Sequence, residues 1–134
     1  MNPFELEALK NHPDTEGPVY MVNLIKYREK SLDGNGSGRD AYYRYGSVVQ
    51  PLLESLGAVV IWMGTVEHLT LNQGEDLDVD WDVVQLVVYP SRDTFIQMVT
   101  NEEYLAANVH RENGTDKHLI FALKTVISNP FPAT

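Results

Sequence analysis

Apolar side chains change their spacing along this chain, and each change predicts an element. Phe4, Leu6 and Leu9 suit a short first helix, with Asn2 as cap, Pro3 at the first position and Asn11-His12-Pro13 as stop. Val19 to Tyr27 (VYMVNLIKY) is β-branched and aromatic and follows Gly17-Pro18, which predicts a strand. Beyond the flexible Ser31 to Gly38 loop (SLDGNGSG), Ala41, Tyr45, Val48, Val49, Leu52 and Leu56 fall on one helical face. Pro51 removes a backbone donor and crowds Ser47, so a kink or break is expected there, and Gly57 is placed to end the helix. Ala58 to His68 reads as a second strand, Asn72 to Asp80 as a polar, acidic connection and Trp81 to Tyr89 as a third strand. Ser91 can cap a helix carrying Phe95, Met98 and Val99, and Asn101 a further short turn through Tyr104, Leu105 and Val109. Asn113-Gly114 breaks the chain, His118 to Ile127 reads as a fourth strand, and Asn129-Pro130-Phe131-Pro132 punctuates the tail.

The order is β-α-β, then β-α-β. Its compact solution is the ferredoxin-like split βαβ arrangement, an α+β fold with a four-stranded antiparallel sheet and helices on one face. Right-handed crossovers fix the strand order as fourth, first, third, second. Residues 1–16 read as a helical appendage, 17–128 as the domain and 129–134 as a tail.

An antiparallel sheet with one wet face alternates apolar and polar residues. Here Ala58 to Met63, Val83 to Val88 apart from Gln85, and Leu119 to Leu123 are apolar at both parities. Helices cover only one face, so the other would expose a patch larger than soluble monomers carry. A homodimer, sheet against sheet, is the expected solution. The alternative is that the first helix and the tail wrap around to cover that face.

Composition narrows the partners. The 134 residues fit one domain, and a 43% hydrophobic content supplies one core. Ten basic against nineteen acidic residues give a net charge of −9, which argues against nucleic acid and against an anionic membrane surface. With no cysteine there are no disulfides, thiolate metal sites or cysteine nucleophiles. Met1 to Glu5 lacks the basic and apolar regions of a signal peptide, and the longest apolar run, Ala58 to Met63, is too short to span a bilayer. A cytoplasmic location is expected.

The split βαβ topology gathers polar groups at one sheet edge. These are Lys26 and Tyr27, Glu67 and His68, Trp81 and Asp82, Arg39, Tyr42 and Tyr45, Tyr104, His110 and Arg111, and His118. Aromatic walls with a Lys, an Arg and a His suit a small anionic or carbonyl-bearing molecule. Lys26, Tyr42, Trp81 and Arg111 are the candidate ligand-binding residues, and Asn23, Tyr45 and His110 the candidate catalytic ones. Asn23 stands in an otherwise apolar strand and must find partners, a ligand among them. Each also has an ordinary structural reading: Tyr42 and Tyr45 as core aromatics, Lys26 and Arg111 as edge charges, Asn23 as partner of a bulge or loop, His110 and His118 as surface residues.

Other motifs fail on chemistry. Asp33 to Gly38 begins like a calcium loop, but its twelfth position is Arg44, a cation where a carboxylate is needed. No Gly-Lys-Ser/Thr follows those glycines, so they make no phosphate cradle. Asp76, Asp78, Asp80 and Asp82 could gather a divalent ion but read as a solvated acidic turn. His12, His68, His110 and His118 lack close zinc spacing, and no nucleophile elbow occurs. No metal and no cofactor with a sequence signature is expected.

Several segments look familiar in combination. Val19 to Tyr27, Tyr42-x-x-Tyr45, the Pro51 helix with Leu56-Gly57, and Trp81-Asp82 are joined by Tyr89-Pro90-Ser91-Arg92 leading to Phe95, Met98, Tyr104 and Arg111. From Pro18 to Val126 the chain resembles the family catalogued as domain of unknown function 1330. That resemblance implies the dimeric α/β-barrel superfamily. It departs from the pattern in a longer Ser31 to Gly38 loop and an unusually acidic Asn72 to Asp80 connection, both flanking the expected pocket. It supplies no reaction, since relatives in the superfamily include cofactor-independent monooxygenases, dehydratases, isomerases and haem enzymes.

Two functions remain open at this point. One is an enzyme without a bound cofactor, acting on an organic carbonyl or phenol, with Asn23 and Arg111 stabilising an oxyanion and His110 or Tyr45 moving a proton. The other is a non-catalytic ligand-binding or stress-associated dimer using the same pocket. A proton-transfer group within reach of an enclosed cavity would favour the first.

Overall fold

A computed structural model describes residues 4–12, 16–74 and 80–130. The proposed cap Asn2 and Pro3, Pro13, the acidic residues Asp76 and Asp78, and Phe131 and Pro132 of the tail lie outside the described residues. The elements are α1 (Leu6–Lys10), β1 (Val19–Tyr27), α2 (Gly38–Ser55), β2 (Val59–Thr65), β3 (Val83–Tyr89), α3 (Arg92–Val99), α4 (Glu102–Gly114) and β4 (Thr115–Leu123).

Their sheet has the order β2-β3-β1-β4, with every neighbouring pair antiparallel. This is the ferredoxin-like order expected from two right-handed crossovers. In β1 the odd residues Val19, Met21, Asn23 and Ile25 are buried under the helices. The even residues Tyr20, Val22 and Leu24 face the other way. Register carries that division across the sheet. Asn23 stands opposite Gln85 on β3 and Ile120 on β4, and Val22 opposite Leu86 and Phe121.

α2 begins at a capping box: Ser37 Oγ accepts from the Asp40 N–H at 3.0 Å, and Asp40 Oδ2 accepts from the Ser37 N–H at 2.9 Å. The break expected at Pro51 does not occur, and the helix continues to Ser55. Pro51 is on the solvent side, so the carbonyl it leaves unpaired is open to water, while Val49 and Leu53 keep the buried face continuous. Gly57, at φ +85°, closes the helix: its N–H reaches Glu54 O at 3.0 Å, and the Ala58 N–H reaches Leu53 O at 2.9 Å.

Asn101 caps a full helix rather than the short turn expected. Its Oδ1 accepts from the Glu103 N–H at 2.8 Å, and α4 runs thirteen residues to Gly114. The start of α2 and the end of α4 touch through Gly38 and Gly114. A Cβ on either would collide with the other's carbonyl oxygen, so only glycine permits this approach. The contact sets Tyr42 and Tyr45 of α2 against Tyr104 and Arg111 of α4.

The strands end earlier than composition suggests. β2 pairs only to Thr65, opposite Val83 where β3 begins, and β4 starts at Thr115 and stops at Leu123, opposite Tyr20. The apolar residues beyond these points, Val66, Val126 and Ile127, are exposed. α1 packs on the domain through Leu9, which is buried, and Phe4 meets Phe95 and Tyr104 edge-on.

The face away from the helices is apolar and open. Val59, Trp62, Leu119, Phe121 and Leu123 expose between 43% and 58% of their surface. The charge that borders it belongs to a cluster around Lys26. No helix among the described residues is long and apolar enough to cross a membrane.

Candidate functional site

Between the sheet and the helices lies a cavity of about 310 Å³, the size of a small-ligand site. Tyr42, Tyr45, Val49 and Leu53 descend into it from α2 at helical spacing. Phe95, Met98 and Tyr104 close it from α3 and α4, and Phe4 closes one side. From the sheet come Val60, Met63, Val87, Tyr89 and Ile120, together with two amides, Asn23 and Gln85. Aromatic and aliphatic walls thus hold two neutral amides of the sheet and a few phenols, with Gln50 of α2 at the exposed rim.

The phenols are paired. Tyr45 and Tyr104 hydroxyls lie 3.0 Å apart, with their rings edge to face at 5.8 Å. Burial raises the pKa of Tyr45 and Tyr42, and the neighbouring phenols push in the same direction. Burial also raises Tyr104, against the opposing pull of the Tyr45 hydrogen bond and the Arg111 charge. These hydroxyls therefore stay protonated at neutral pH and serve as donors.

Behind Asn23 stand two groups that link it to α4. Arg111, buried, donates from Nε to Asn108 Oδ1 at 2.7 Å, and its guanidinium carbon lies 5.6 Å from the centre of the Phe4 ring. Arg111 Nη1 is 3.3 Å from His118 Nδ1, and His118 Nε2 is 2.9 Å from Asn23 Oδ1. Burial, and then the Arg111 charge, push the His118 pKa down to about 3, so the imidazole is neutral. His118 is accordingly no surface residue and Arg111 no edge charge.

The seven candidate residues divide. Asn23, Tyr42 and Tyr45 line the cavity, and Arg111 stands behind it. His110 does not line it; its Nδ1 is buried without a hydrogen-bond partner. Lys26 and Trp81 belong elsewhere. Lys26 Nζ lies 3.6 Å from Asp82 and 3.9 Å from Asp80, and Lys117 Nζ lies 2.6 Å from Asp80 and 5.2 Å from the centre of the Trp81 ring. Lys26 pairs with Lys117 at the parity of the open face, whereas His118 stands opposite Ile25 on the helix side. The single edge site expected from topology is therefore two places on opposite faces, because Asn23 and Lys26 are an odd number of residues apart.

The sequence places Tyr104 and His118 at the expected pocket edge but gives them no role in the site, and it does not bring Gln85 there at all. The signal for Gln85 was its polarity within an apolar strand, but only the register sets it beside Asn23. His118 needed the register that sets it opposite Ile25, on the face of Asn23. At the Gly-rich loop, Asp33 Oδ1 accepts from Ser31 Oγ at 2.6 Å and from the Asn35 N–H at 2.9 Å, and Oδ2 faces Arg44 at 3.8 Å. Its carboxylate is engaged by the loop's own donors, the Ser31 bond first among the causes that lower its pKa.

This architecture defines a ferredoxin-like domain with a partly open cavity between sheet and helices. The chain is 32% identical to the RPA0582 protein of Rhodopseudomonas palustris, itself of unknown function, over 95% of this chain and 97% of that one, with a TM-score of 0.80. It belongs to the family of that protein. Two more distant structures share the fold. One is a dimeric protein of unknown function with a ferredoxin-like fold from Bacteroides fragilis (13% identity, 84% of this chain and 100% of that one, TM-score 0.51). The other is a Caulobacter crescentus protein proposed to be an antibiotic biosynthesis monooxygenase (13% identity, 84% and 93%, TM-score 0.54). Neither a family model nor a curated protein sequence matches the chain.

Proposed function

We propose that this protein is a homodimer of the dimeric α/β-barrel type, a member of the domain of unknown function 1330 family that its motifs resemble. In this reading it acts without a resident cofactor on an organic carbonyl or phenolic compound held between sheet and helices. The observation that carries the reading is the cavity, in which Asn23 and Gln85 are set within aromatic walls. Fixed donors in an apolar enclosure stabilise an oxygen that gathers negative charge. Loss of a proton from a phenol, or from carbon beside a carbonyl, gathers such charge, and monooxygenase-like and isomerase-like reactions share that step. The apolar open face supports the dimer, as does the Bacteroides fragilis relative described as dimeric. Such an interface buries more than about 1,000 Å² in total.

One observation favours the second reading, a non-catalytic ligand-binding or stress-associated dimer. The lining phenols are held protonated and both His118 nitrogens are engaged, so no base stands ready among the described residues at the cavity. The enzyme reading therefore takes a substrate that has already given up its proton in solution and enters as the anion. Native mass spectrometry of protein from its own cells tests both. The expected mass is twice 15.1 kDa plus one small organic molecule per subunit. A bare monomer would overturn the proposal. Turnover of the released molecule in the presence of fresh protein selects the enzyme, and its unchanged recovery selects the binder.

A further inference from the structure

Asn23 stands at the end of a hydrogen-bond chain that begins at a charge. A guanidinium only donates, so His118 Nδ1 accepts from Arg111 Nη1 across 3.3 Å. The neutral ring's one hydrogen then sits on Nε2 and is donated to Asn23 Oδ1 at 2.9 Å. With its oxygen engaged in this way, Asn23 is left with its NH2 group. One of those hydrogens makes a long bond, 3.4 Å, to the Met21 carbonyl, and the other remains for the cavity. Gln85, opposite Asn23 on β3, also lines the cavity, and its amide has no hydrogen-bond partner among the described residues.

We infer that Arg111 and His118 are positioning residues that fix the Asn23 amide with an N–H towards the cavity, and that Asn23 and Gln85 together recognise the oxygen of a carbonyl compound. This rests on the cavity being a ligand site, as proposed above, and adds the direction of its hydrogen bonding. Without the chain the amide could rotate by half a turn and present its oxygen, and the site would lose its preference for an acceptor. Phe4, under the Arg111 guanidinium, and Asn108, accepting from Arg111 Nε, hold the start of the chain in place.

Acetophenone and α-methylstyrene, alike in shape but carrying C=O or C=CH2, are the probes, titrated by NMR. The intact protein should favour acetophenone by about tenfold, the size of one hydrogen bond. Asn23→Leu should reduce that preference to below about threefold, the part that Gln85 supplies alone. His118→Phe fills the ring's volume without its hydrogen bonds and should reduce the preference to below about threefold, on the same scale. His118→Gln supplies an oxygen for Arg111 and an N–H for Asn23, and should restore it. Affinity for α-methylstyrene should stay constant in the two His118 variants, whose side chain does not line the cavity. The ¹⁵N shifts of His118 in the intact protein, which need no variant to fold, should place the hydrogen on Nε2. A hydrogen on Nδ1, a full preference in His118→Phe, or its loss in a folded His118→Gln would overturn the positioning role. Equal binding of both probes by the intact protein would overturn this inference and leave the cavity reading standing. Binding of neither would overturn both.

Discussion

The two faces of the sheet reverse the usual distribution of polarity. Under the helices β1 places a buried amide, Asn23, beside the half-buried Gln85 of β3. On the uncovered face, Trp62, Leu119 and Phe121 stand exposed. A buried amide costs free energy unless it is satisfied, and an exposed apolar patch costs free energy unless it is covered. Each face is thus incomplete in a different way. The helix face wants a small polar-tipped molecule, and the open face wants a large apolar surface.

Adjacent residues of β3 separate the two most sharply. Val87, 3% exposed, points at the helices, while Leu86 points at the open face. Val87→Glu should unfold the domain, by more than about 3 kcal/mol, because it buries an unpaired charge. Circular dichroism and urea melts would show this. Leu86→Glu should leave a folded chain and move the light-scattering mass from twice 15.1 kDa to 15.1 kDa. Two folded dimers, or two unfolded chains, would erase the distinction between the faces.

Smaller changes probe how the helix face is held. Gly38→Ala drives a methyl into the Arg28 backbone and the Gly114 carbonyl and should cost at least about 1–3 kcal/mol in urea melts, the usual range for overpacking. The pH dependence of stability reports on His118. Its pKa in the folded chain, about 3, lies below the ordinary 6.5, so the unfolded chain takes up a proton that the folded chain refuses. Its contribution to stability is complete above pH 6.5 and is lost as pH falls towards 3, with a slope approaching about 1.4 kcal/mol per pH unit. The difference between the intact protein and His118→Gln, melted from pH 7 to pH 4, should show that slope. Tyr45→Phe has the smallest effect: it leaves the Tyr104 hydroxyl without its partner and should cost about 1 kcal/mol.

Element order was legible in the sequence because the spacing of apolar residues switches cleanly between strand and helix periods. Two right-handed crossovers then allow one strand order. The unusual strand residue Asn23 was legible too, as an amide in an apolar run. Its neighbours were not. Gln85 and His118 reach Asn23 through cross-strand registers, with β3 and with β4, that no local pattern reveals. Lys26 shows a different failure. Strand alternation alone separates it from Asn23, yet convergence of element ends at one edge had grouped the two. Where edge and face disagree, the face decides which side chains can meet. Pro51 was overweighted for a related reason: a proline on the wet side of an amphipathic helix leaves its buried stripe intact.

The account stands on the helix face being the one that receives a small molecule. Following the side-chain amide and backbone resonances of the protein during an acetophenone titration tests this most directly. The prediction is saturable movement of the Asn23 and Gln85 side-chain amides, with Val22, Leu24 and Phe121 on the open face unmoved. Saturable shifts confined to the open-face residues, with both amides still, would contradict it.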